Sequence, residues 1–217
     1  MAKLQSSLKN MVLCLFLISA IMSAVLALVY QATLEPIKMA ESKKVNDAIT
    51  KVVPAFDNDP ATEMYLLPVE GETDSLVVYP AKKGEELVGT AVSSYTNRGF
   101  SGNFTVMVGF LPDGSIYNTS VMVHKETPGL GSKMSDAKFH DQFNGKKPEE
   151  FTLAVKKDGG EVDAIAAATI SSRAYCDAII RAYKAYTNNE TDITTGATQT
   201  TTHGTDITTG ATQTTTR

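Results

Sequence analysis

The chain carries a threonine, Thr169, at the junction between a strand-like segment and a helix-like segment. Val162 to Ile165 follow a Gly-Gly turn, and from Ile170 onward apolar residues recur at helical spacing. Ser171 and Ser172 are residue types that favour the N-cap of such a helix. The free N–H groups and the dipole of a helix N-terminus attract anions, so the Thr169 hydroxyl is predicted to lie where a phosphate can bind.

A threonine hydroxyl is a poor nucleophile near neutral pH and needs an activating base. The sequence shows neither a Ser-His-Asp arrangement nor a phosphate-cradling P-loop motif. His124 and His140 have no partners at metal-ligand spacing. We therefore predict no catalytic residue and no metal site.

Residues 163–169 read Asp-Ala-Ile-Ala-Ala-Ala-Thr. This stretch resembles the flavin-attachment motif of the covalent FMN-binding domain family, found in the G subunit of the Rnf ion-translocating electron transport complex and in the C subunit of the sodium-translocating NADH:quinone oxidoreductase. The family motif runs Asp, two variable residues, Ser or Thr, Gly, Ala, and then the Thr or Ser that carries FMN through a phosphoester. Asp163, Ala168 and Thr169 match this motif, whereas Ala166 and Ala167 replace the usual Ser/Thr and Gly. An alanine at position 167 costs little if the backbone is extended or helical, and more if φ is positive.

A second stretch, His-Lys-Glu-Thr-Pro-Gly-Leu-Gly at 124–131, resembles the flavin-proximal loop of the same family. That loop and the Ile-Ser-Ser-Arg continuation after Thr169 make the Rnf member the closer match. The resemblance extends from Gly99 to Tyr186 and implies that the loop lies against the flavin. In this loop Thr127 would supply a hydrogen bond, Leu130 would form an apolar wall, and Glu126 with Lys125 would tune the potential. The full set of implied FMN-binding residues is Thr169 as the covalent attachment, Asp163, Ala168, Ser171, Glu126, Thr127, Gly129, Leu130 and Gly131.

The resemblance implies an electron-transfer subunit of a membrane-bound ion-translocating oxidoreductase, without a substrate site of its own. Its partners would be the other membrane subunits and a flavin transferase that moves FMN from FAD to Thr169. Asp163 would serve recognition or hold Mg²⁺ during that transfer, or it is simply a strand-end residue bonded to nearby backbone. Two alternatives stay open: the C subunit of the sodium-translocating enzyme, and a membrane-anchored binding module with a Thr-rich tail.

An uncharged apolar run occupies residues 11–30. At about 1.5 Å per residue it spans roughly 30 Å, the thickness of a bilayer core. A secretory signal would have a shorter apolar core, so we predict an uncleaved single-pass anchor in the cell membrane. Lys3 and Lys9 precede the run and place the N-terminus in the cytoplasm and the FMN domain outside, although Lys38, Lys43 and Lys44 follow it. The net charge of −4 gives no indication of nucleic-acid binding.

The remaining pattern predicts an α+β fold, an antiparallel sheet with flanking helices behind one transmembrane helix. Leu34 to Val53 is predicted as an amphipathic helix, either a stalk or packed on the domain. Residues 55–73 are turn-rich, and 133–143 can form a helix with Phe139 and Phe143 at spacing i, i+4. Strands are predicted at 75–79, 87–94, 104–111, 116–124, 151–155 and 161–165, with hairpin turns at 113–114 and 158–159.

The C-terminal segment is a threonine-rich repeat in which residues 191–202 recur unchanged at 205–216. Such a composition cannot bury enough apolar surface to fold alone. Thr198 and Thr212 nevertheless follow the attachment pattern more closely than Thr169 and are secondary candidates for flavin. The predicted organisation is a cytoplasmic N-terminus (1–10), a transmembrane helix (11–30), a stalk and linker (31–71), an FMN-binding domain (72–186) and a disordered tail (187–217).

Overall fold

The computed structural model describes residues 8–68 and 75–194. It begins with α1 (Leu8–Val52), a single helix of 45 residues and therefore roughly 70 Å long at about 1.5 Å per residue. Its N-terminal part is exposed and strongly apolar, and it is the one helix among the described residues that is long and apolar enough to cross a membrane. The predicted span at 11–30 lies within it.

The sequence predicted two separate helices, one for the span and one at 34–53. This is wrong, because no break separates them in α1. Pro36, a residue type that suits the first turn of a separate second helix, lies inside α1 instead. A proline leaves the carbonyl four residues earlier without its helical partner, and here the helix continues through that position. The apolar span and the segment that reaches the folded domain therefore form one continuous helix.

One antiparallel sheet organises the domain, and its strands lie side by side in chain order. Four of the five strands were predicted, and β1 was missed because its short sequence lies in the turn-rich region. The predicted turn at 113–114 joins β4 to β5, with Gly114 at φ +80°. The strands are β1 (Tyr65–Pro68), β2 (Ser75–Lys83), β3 (Glu86–Gly99), β4 (Gly102–Phe110) and β5 (Ile116–Val123).

Both faces of the sheet are covered, because alternate side chains of a strand point to opposite faces. On one face Val92, Val106 and Val108 pack beneath the long C-terminal helix α3 (Thr169–Thr194). On the other face Ala91 and Met107 pack against the last turns of α1. The sheet thus separates the helix that begins at Thr169 from the helix that leads to the membrane.

Close contact between α1 and the sheet depends on a glycine in β4. A Cβ atom at Gly109 would overlap the carbonyl oxygen of Val52, the last residue of α1. Ala48, Ile49 and Val52 are buried at this contact, while Ile37 further up the same helix is exposed. The segment was predicted to be either a stalk or a helix packed on the domain. Its last turns are packed on the domain.

The helix α3 is fixed to the sheet by polar bonds as well as by apolar contacts. The Ser94 hydroxyl donates to the Ala178 carbonyl at 2.8 Å, and the buried Tyr175 hydroxyl donates to Thr119 Oγ1 at 2.8 Å. Burial raises the pKa of Tyr175 and raises the pKa of the Cys176 thiol to about 12. Cys176 is thus an unreactive core residue at neutral pH.

The chain between the sheet and α3 forms short helical segments rather than the predicted longer helix at 133–143. A 3-10 turn (Gly131–Ser135), the short α2 (Ala137–His140) and a second 3-10 turn (Asp141–Phe143) follow one another. Phe139 and Phe143 do contact each other, with ring centroids 5.7 Å apart, and both rings also pack on Tyr175. Phe139 and Phe143 thus pack against α3 through Tyr175.

The predicted hairpin of strands at 151–155 and 161–165 is wrong. The two segments form a single parallel bridge, Val155 to Val162, with a 3-10 turn (Lys156–Asp158) between them. A Cβ atom at Gly160 would overlap the Ala154 carbonyl oxygen, so the chain crosses itself closely here. The β-forming residues that suggested strands here include Val155 and Val162, which are buried in the core.

Candidate functional site

Three segments that are far apart in sequence enclose a cavity of about 310 Å³ at the N-terminus of α3. They are the turn between β3 and β4, the loop after β5, and the residues around the start of α3. The volume lies near the lower end of the range for small-molecule sites, roughly 300–1,000 Å³. The lining residues are Phe100, Glu126, Thr127, Leu130, Gly131, Ala167, Ala168, Thr169, Ile170 and Ser171.

Thr169 is the first residue of α3, is half-buried, and lines this cavity. The first N–H groups of a helix have no carbonyl partner within that helix, and the dipole makes this end partly positive. A phosphate joined to the Thr169 oxygen would therefore lie within a favourable field. The sequence analysis predicted this position for Thr169 relative to the helix.

The expectation that Ser171 and Ser172 cap the helix is wrong, because the helix starts two residues earlier than they imply. The Ser172 hydroxyl donates to the Ala168 carbonyl at 3.0 Å and accepts from the Ile165 N–H at 3.0 Å. It thus holds the strand-like segment against the first turn of α3. Ser171 is buried, lines the cavity, and donates its hydroxyl to Glu126 Oε2 at 2.9 Å.

Ala167 has φ +60°, and no other non-glycine residue in the described part of the chain has a positive φ. Ala167 lies directly before Ala168 and Thr169, and all three line the cavity wall. The left-handed region costs an L-residue other than glycine roughly 1–2 kcal/mol. Alanine in place of the glycine of the motif therefore carries backbone strain at position 167.

Replacing Ala167 with glycine should raise the free energy of unfolding by about 1 kcal/mol, because relief of the strain outweighs the extra entropy of the unfolded chain. Thermal or denaturant unfolding of the full chain in detergent measures this change. Ala166→Gly is the matched control, since Ala166 is exposed and its φ is not positive. It should leave stability unchanged or lower it. Equal effects of the two substitutions would show that Ala167 carries no strain.

Glu126 is buried, with 5% of its surface exposed, although a lone glutamate is usually solvated. Its Oε1 atom accepts from the Ser101 N–H at 3.1 Å, and its Oε2 atom accepts from the Ser171 hydroxyl. The neighbouring Lys125 is exposed. Of the two charges predicted near the flavin, only Glu126 lines the cavity.

The loop after β5 contributes Thr127, Leu130 and Gly131 to the cavity wall. It closes through the Leu130 N–H, which donates to the Thr127 carbonyl at 3.1 Å. Gly129 does not line the cavity. It has φ +76°, and its N–H donates to Ser132 Oγ at 2.9 Å.

Gly129→Val should distort this loop, because a β-branched residue strongly disfavours positive φ. A Cβ atom at this position meets nothing within 4 Å, so the effect must come from the backbone rather than from a clash. If the site carries the covalent flavin that the resemblance implies, the link should be retained while the visible spectrum or midpoint potential of the flavin shifts. Gly129→Asn is the control, since Asn tolerates the left-handed region better. A wild-type spectrum, potential and electron-transfer rate in Gly129→Val would show that the loop does not contact the flavin.

Asp163 lies apart from this cavity. It is exposed, and its carboxylate pairs with Lys156 Nζ at 2.7 Å. Its backbone is held by the Gln142 side chain, which accepts from the Asp163 N–H at 2.8 Å and donates to its carbonyl at 3.3 Å. Asp163 lines a neighbouring cavity of about 360 Å³ with Asp136 and Lys138. The two ends of the attachment stretch therefore line different cavities. Asp163 lines the 360 Å³ cavity, and Thr169 lines the 310 Å³ cavity.

Phe100, Ala167 and Ile170 are cavity residues that were not among the predicted site residues. Phe100 is 67% exposed and Ile170 is 47% exposed, so both present apolar surface at the cavity mouth. The signal for Phe100 was the Gly-Phe-Ser-Gly sequence at 99–102, which resembles the Gly-Tyr-Ser-Gly turn of the family. Ile170 was expected on the buried face of α3.

The other candidate residues give no second site within the described residues. No group of three His, Cys, Asp or Glu side chains there could hold a metal ion. Phe104, Met107 and Phe110 are core residues. The tail candidates Thr198 and Thr212 lie outside the described residues.

The chain is similar to a protein family and to several known proteins. Residues 99–184 match the model of the FMN-binding domain. The chain is 36% identical to the G subunit of the ion-translocating oxidoreductase complex of Erwinia tasmaniensis, over 74% of this chain and 79% of that protein. It is 31% identical to the G subunit of the Na(+)-translocating ferredoxin:NAD(+) oxidoreductase complex of Acetobacterium woodii, over 81% and 90% respectively. A crystal structure of the C subunit of Na(+)-translocating NADH-quinone reductase from Parabacteroides distasonis superposes with a TM-score of 0.46 at 19% identity, covering 73% of this chain and 85% of that one.

Proposed function

The chain belongs to the family formed by the G subunits of ion-translocating oxidoreductase complexes, and we infer that it is an electron-transfer subunit of such a complex. We propose that it carries one FMN, joined to the Thr169 oxygen by a phosphoester. The relatives that support this inference are named as G subunits, which favours this role over that of the C subunit of the sodium-translocating enzyme. The other membrane subunits of the complex would be its partners.

One observation carries the proposal: Thr169 lies at the N-terminus of a long helix and lines a cavity within the matched FMN-binding domain. A helix terminus favours a phosphate, and a flavin ring needs an apolar wall beside it. Leu130, Ile170 and Phe100 supply apolar surface, while Glu126 and Thr127 supply polar groups. The residues present thus fit FMN.

When bound, FMN would supply the reversible uptake and release of electrons. The chain itself would hold the phosphate at the first turn of α3 and place the ring beside Leu130 and Phe100. Gly131 has no side chain, so the loop backbone can lie close to Glu126 and Ser171 at the cavity wall. A covalent link would prevent loss of the cofactor outside the cytoplasm.

Formation of the phosphoester requires help from another protein. Among the described residues, Glu126 is the one carboxylate that lines this cavity, and it already accepts from Ser101 and Ser171. It is therefore poorly placed to act as the base that the Thr169 hydroxyl needs. We propose that a flavin transferase makes the link. Asp163, exposed at the other end of the attachment stretch, is available for recognition by that enzyme.

We propose that α1 anchors the chain with its N-terminus in the cytoplasm and the FMN domain outside, as the lysines before the span suggest. The continuous helix from Leu8 to Val52 would then fix the domain at a set distance from the membrane. An uncleaved anchor predicts that protein extracted from membranes begins near Met1. N-terminal sequencing tests this, and a mature start beyond Ala24 would contradict it.

Intact mass of the protein purified from membranes tests the cofactor proposal directly. We expect a mass increase corresponding to one FMN and a yellow, fluorescent band that survives denaturing electrophoresis. A chain without bound flavin after expression with the transferase would contradict the proposal and would favour the alternative of a membrane-anchored binding module.

A further inference from the structure

Glu126 joins the three segments that enclose the cavity. It follows β5 in the chain, its Oε1 atom accepts from the Ser101 N–H in the turn between β3 and β4, and its Oε2 atom accepts from Ser171 in the first turn of α3. These partners are 25 and 45 residues away in sequence. A single buried side chain thus connects the turn that carries Phe100 with the helix that carries Thr169.

The backbone around the carboxylate is shaped to admit it. A Cβ atom at Gly99 would lie 2.7 Å from Glu126 Oε1, and a Cβ atom at Gly131 would lie 2.5 Å from Glu126 Oε2. Neither glycine has a positive φ, so neither is required by its own backbone conformation. Gly131 leaves room for Glu126 and Ser171, whereas a side chain at Gly99 would overlap the Gly102 carbonyl oxygen as well as crowd Glu126.

The carboxylate also places a charge at the cavity wall. Both of its oxygens accept hydrogen bonds, as those of an ionised carboxylate do, and Ser171 belongs to the partly positive end of α3. A buried charge is screened by solvent and salt much less than an exposed one. Lys125, the adjacent cation, is exposed and compensates it only weakly.

Resting on the proposed FMN site, we propose that Glu126 is a positioning residue that locks the cavity walls together and, through its negative charge, lowers the midpoint potential of the flavin. A negative charge beside the ring opposes the arrival of electrons, so the oxidised flavin is favoured. The same side chain would thereby set both the shape of the site and its redox poise.

The positioning role is tested in the full chain made without the transferase, and hence without covalent FMN. Glu126→Ala removes the acceptor of the Ser101 N–H, and we expect hydrogen exchange at that amide to accelerate at least tenfold. Glu126→Gln should exchange at nearly the wild-type rate, because its amide oxygen can accept from Ser101 while its NH₂ group donates to Ser171. Wild-type exchange at Ser101 in Glu126→Ala would overturn the positioning role.

The electrostatic role is tested on the flavin-loaded full chain by spectroelectrochemical titration. Glu126→Gln keeps the size and bonds of the side chain but removes its charge, so the midpoint potential should rise. Glu126→Asp keeps the charge on a shorter arm and should retain a potential close to wild type. Glu150→Gln removes the same charge from an exposed side chain and should shift nothing.

An unchanged potential in Glu126→Gln, or an equal shift in the Asp and Gln variants, would overturn the electrostatic role. Thermal unfolding of each variant separates these outcomes from a loss of folding. Absence of flavin from the wild-type chain would instead contradict the proposed function. The exchange experiment would still decide the positioning role in that case.

Discussion

Thr169→Ala should abolish covalent flavin, reducing it from about one FMN per chain to none. The substitution removes the oxygen that forms the phosphoester in the proposed site, and no activating base can replace a missing nucleophile. In-gel flavin fluorescence after denaturation, with intact mass, measures the loss. Folding should be little affected, since the Thr169 side chain is only half-buried and the sheet contacts of α3 lie further along the helix.

Two control variants sharpen this experiment. Thr169→Ser keeps a hydroxyl at the same backbone position and should retain flavin. The double variant Thr198→Ala, Thr212→Ala removes both tail candidates and should also retain it, because both lie outside residues 99–184, which match the FMN-binding domain. Full retention of flavin in Thr169→Ala, mapped to a tail peptide, would make the tail the functional carrier.

Gly109→Ala should destabilise the domain by about 3 kcal/mol, near the upper end for overpacked sites. The added Cβ atom would overlap the carbonyl oxygen of Val52, and a backbone atom cannot move aside as a flexible side chain can. The last turns of α1 must then separate from the sheet and expose Ile49 and Met107. Thermal unfolding in detergent and limited proteolysis near residues 52–56 would detect this separation.

Gly89→Ala is a graded control on the neighbouring strand. Its Cβ atom would lie 3.1 Å from the Phe110 carbonyl oxygen and 3.2 Å from Pro54 Cδ, which is tight but not overlapping. We expect a smaller loss of stability than in Gly109→Ala. If Gly109→Ala melts and resists proteolysis like the wild type, the close contact between α1 and β4 is not part of the native fold.

Patterns that act over a few residues were sufficient to predict most of the elements. The apolar run at 11–30 identified the membrane-length helix because length and lack of charge alone decide that property. Segments rich in β-forming residues identified four strands, and Asp113-Gly114 identified the turn between β4 and β5. The same kind of signal misled at 151–155 and 161–165, because burial of Val155 and Val162 requires apolar residues whether or not strands pair.

The site divides in the same way. The sequence by itself indicated that Thr169 lies near the start of a helix, because helical spacing is a local feature. Family resemblance predicted that the loop at 124–131 and the attachment stretch lie together, and both line one cavity. Only the tertiary structure decided that Glu126 and Ser171, 45 residues apart, share a hydrogen bond and that Asp163 lies at a different cavity from Thr169. It also decided that Ala167 has a positive φ. Side-chain burial and backbone strain depend on which distant segments meet, and residue types alone do not specify that.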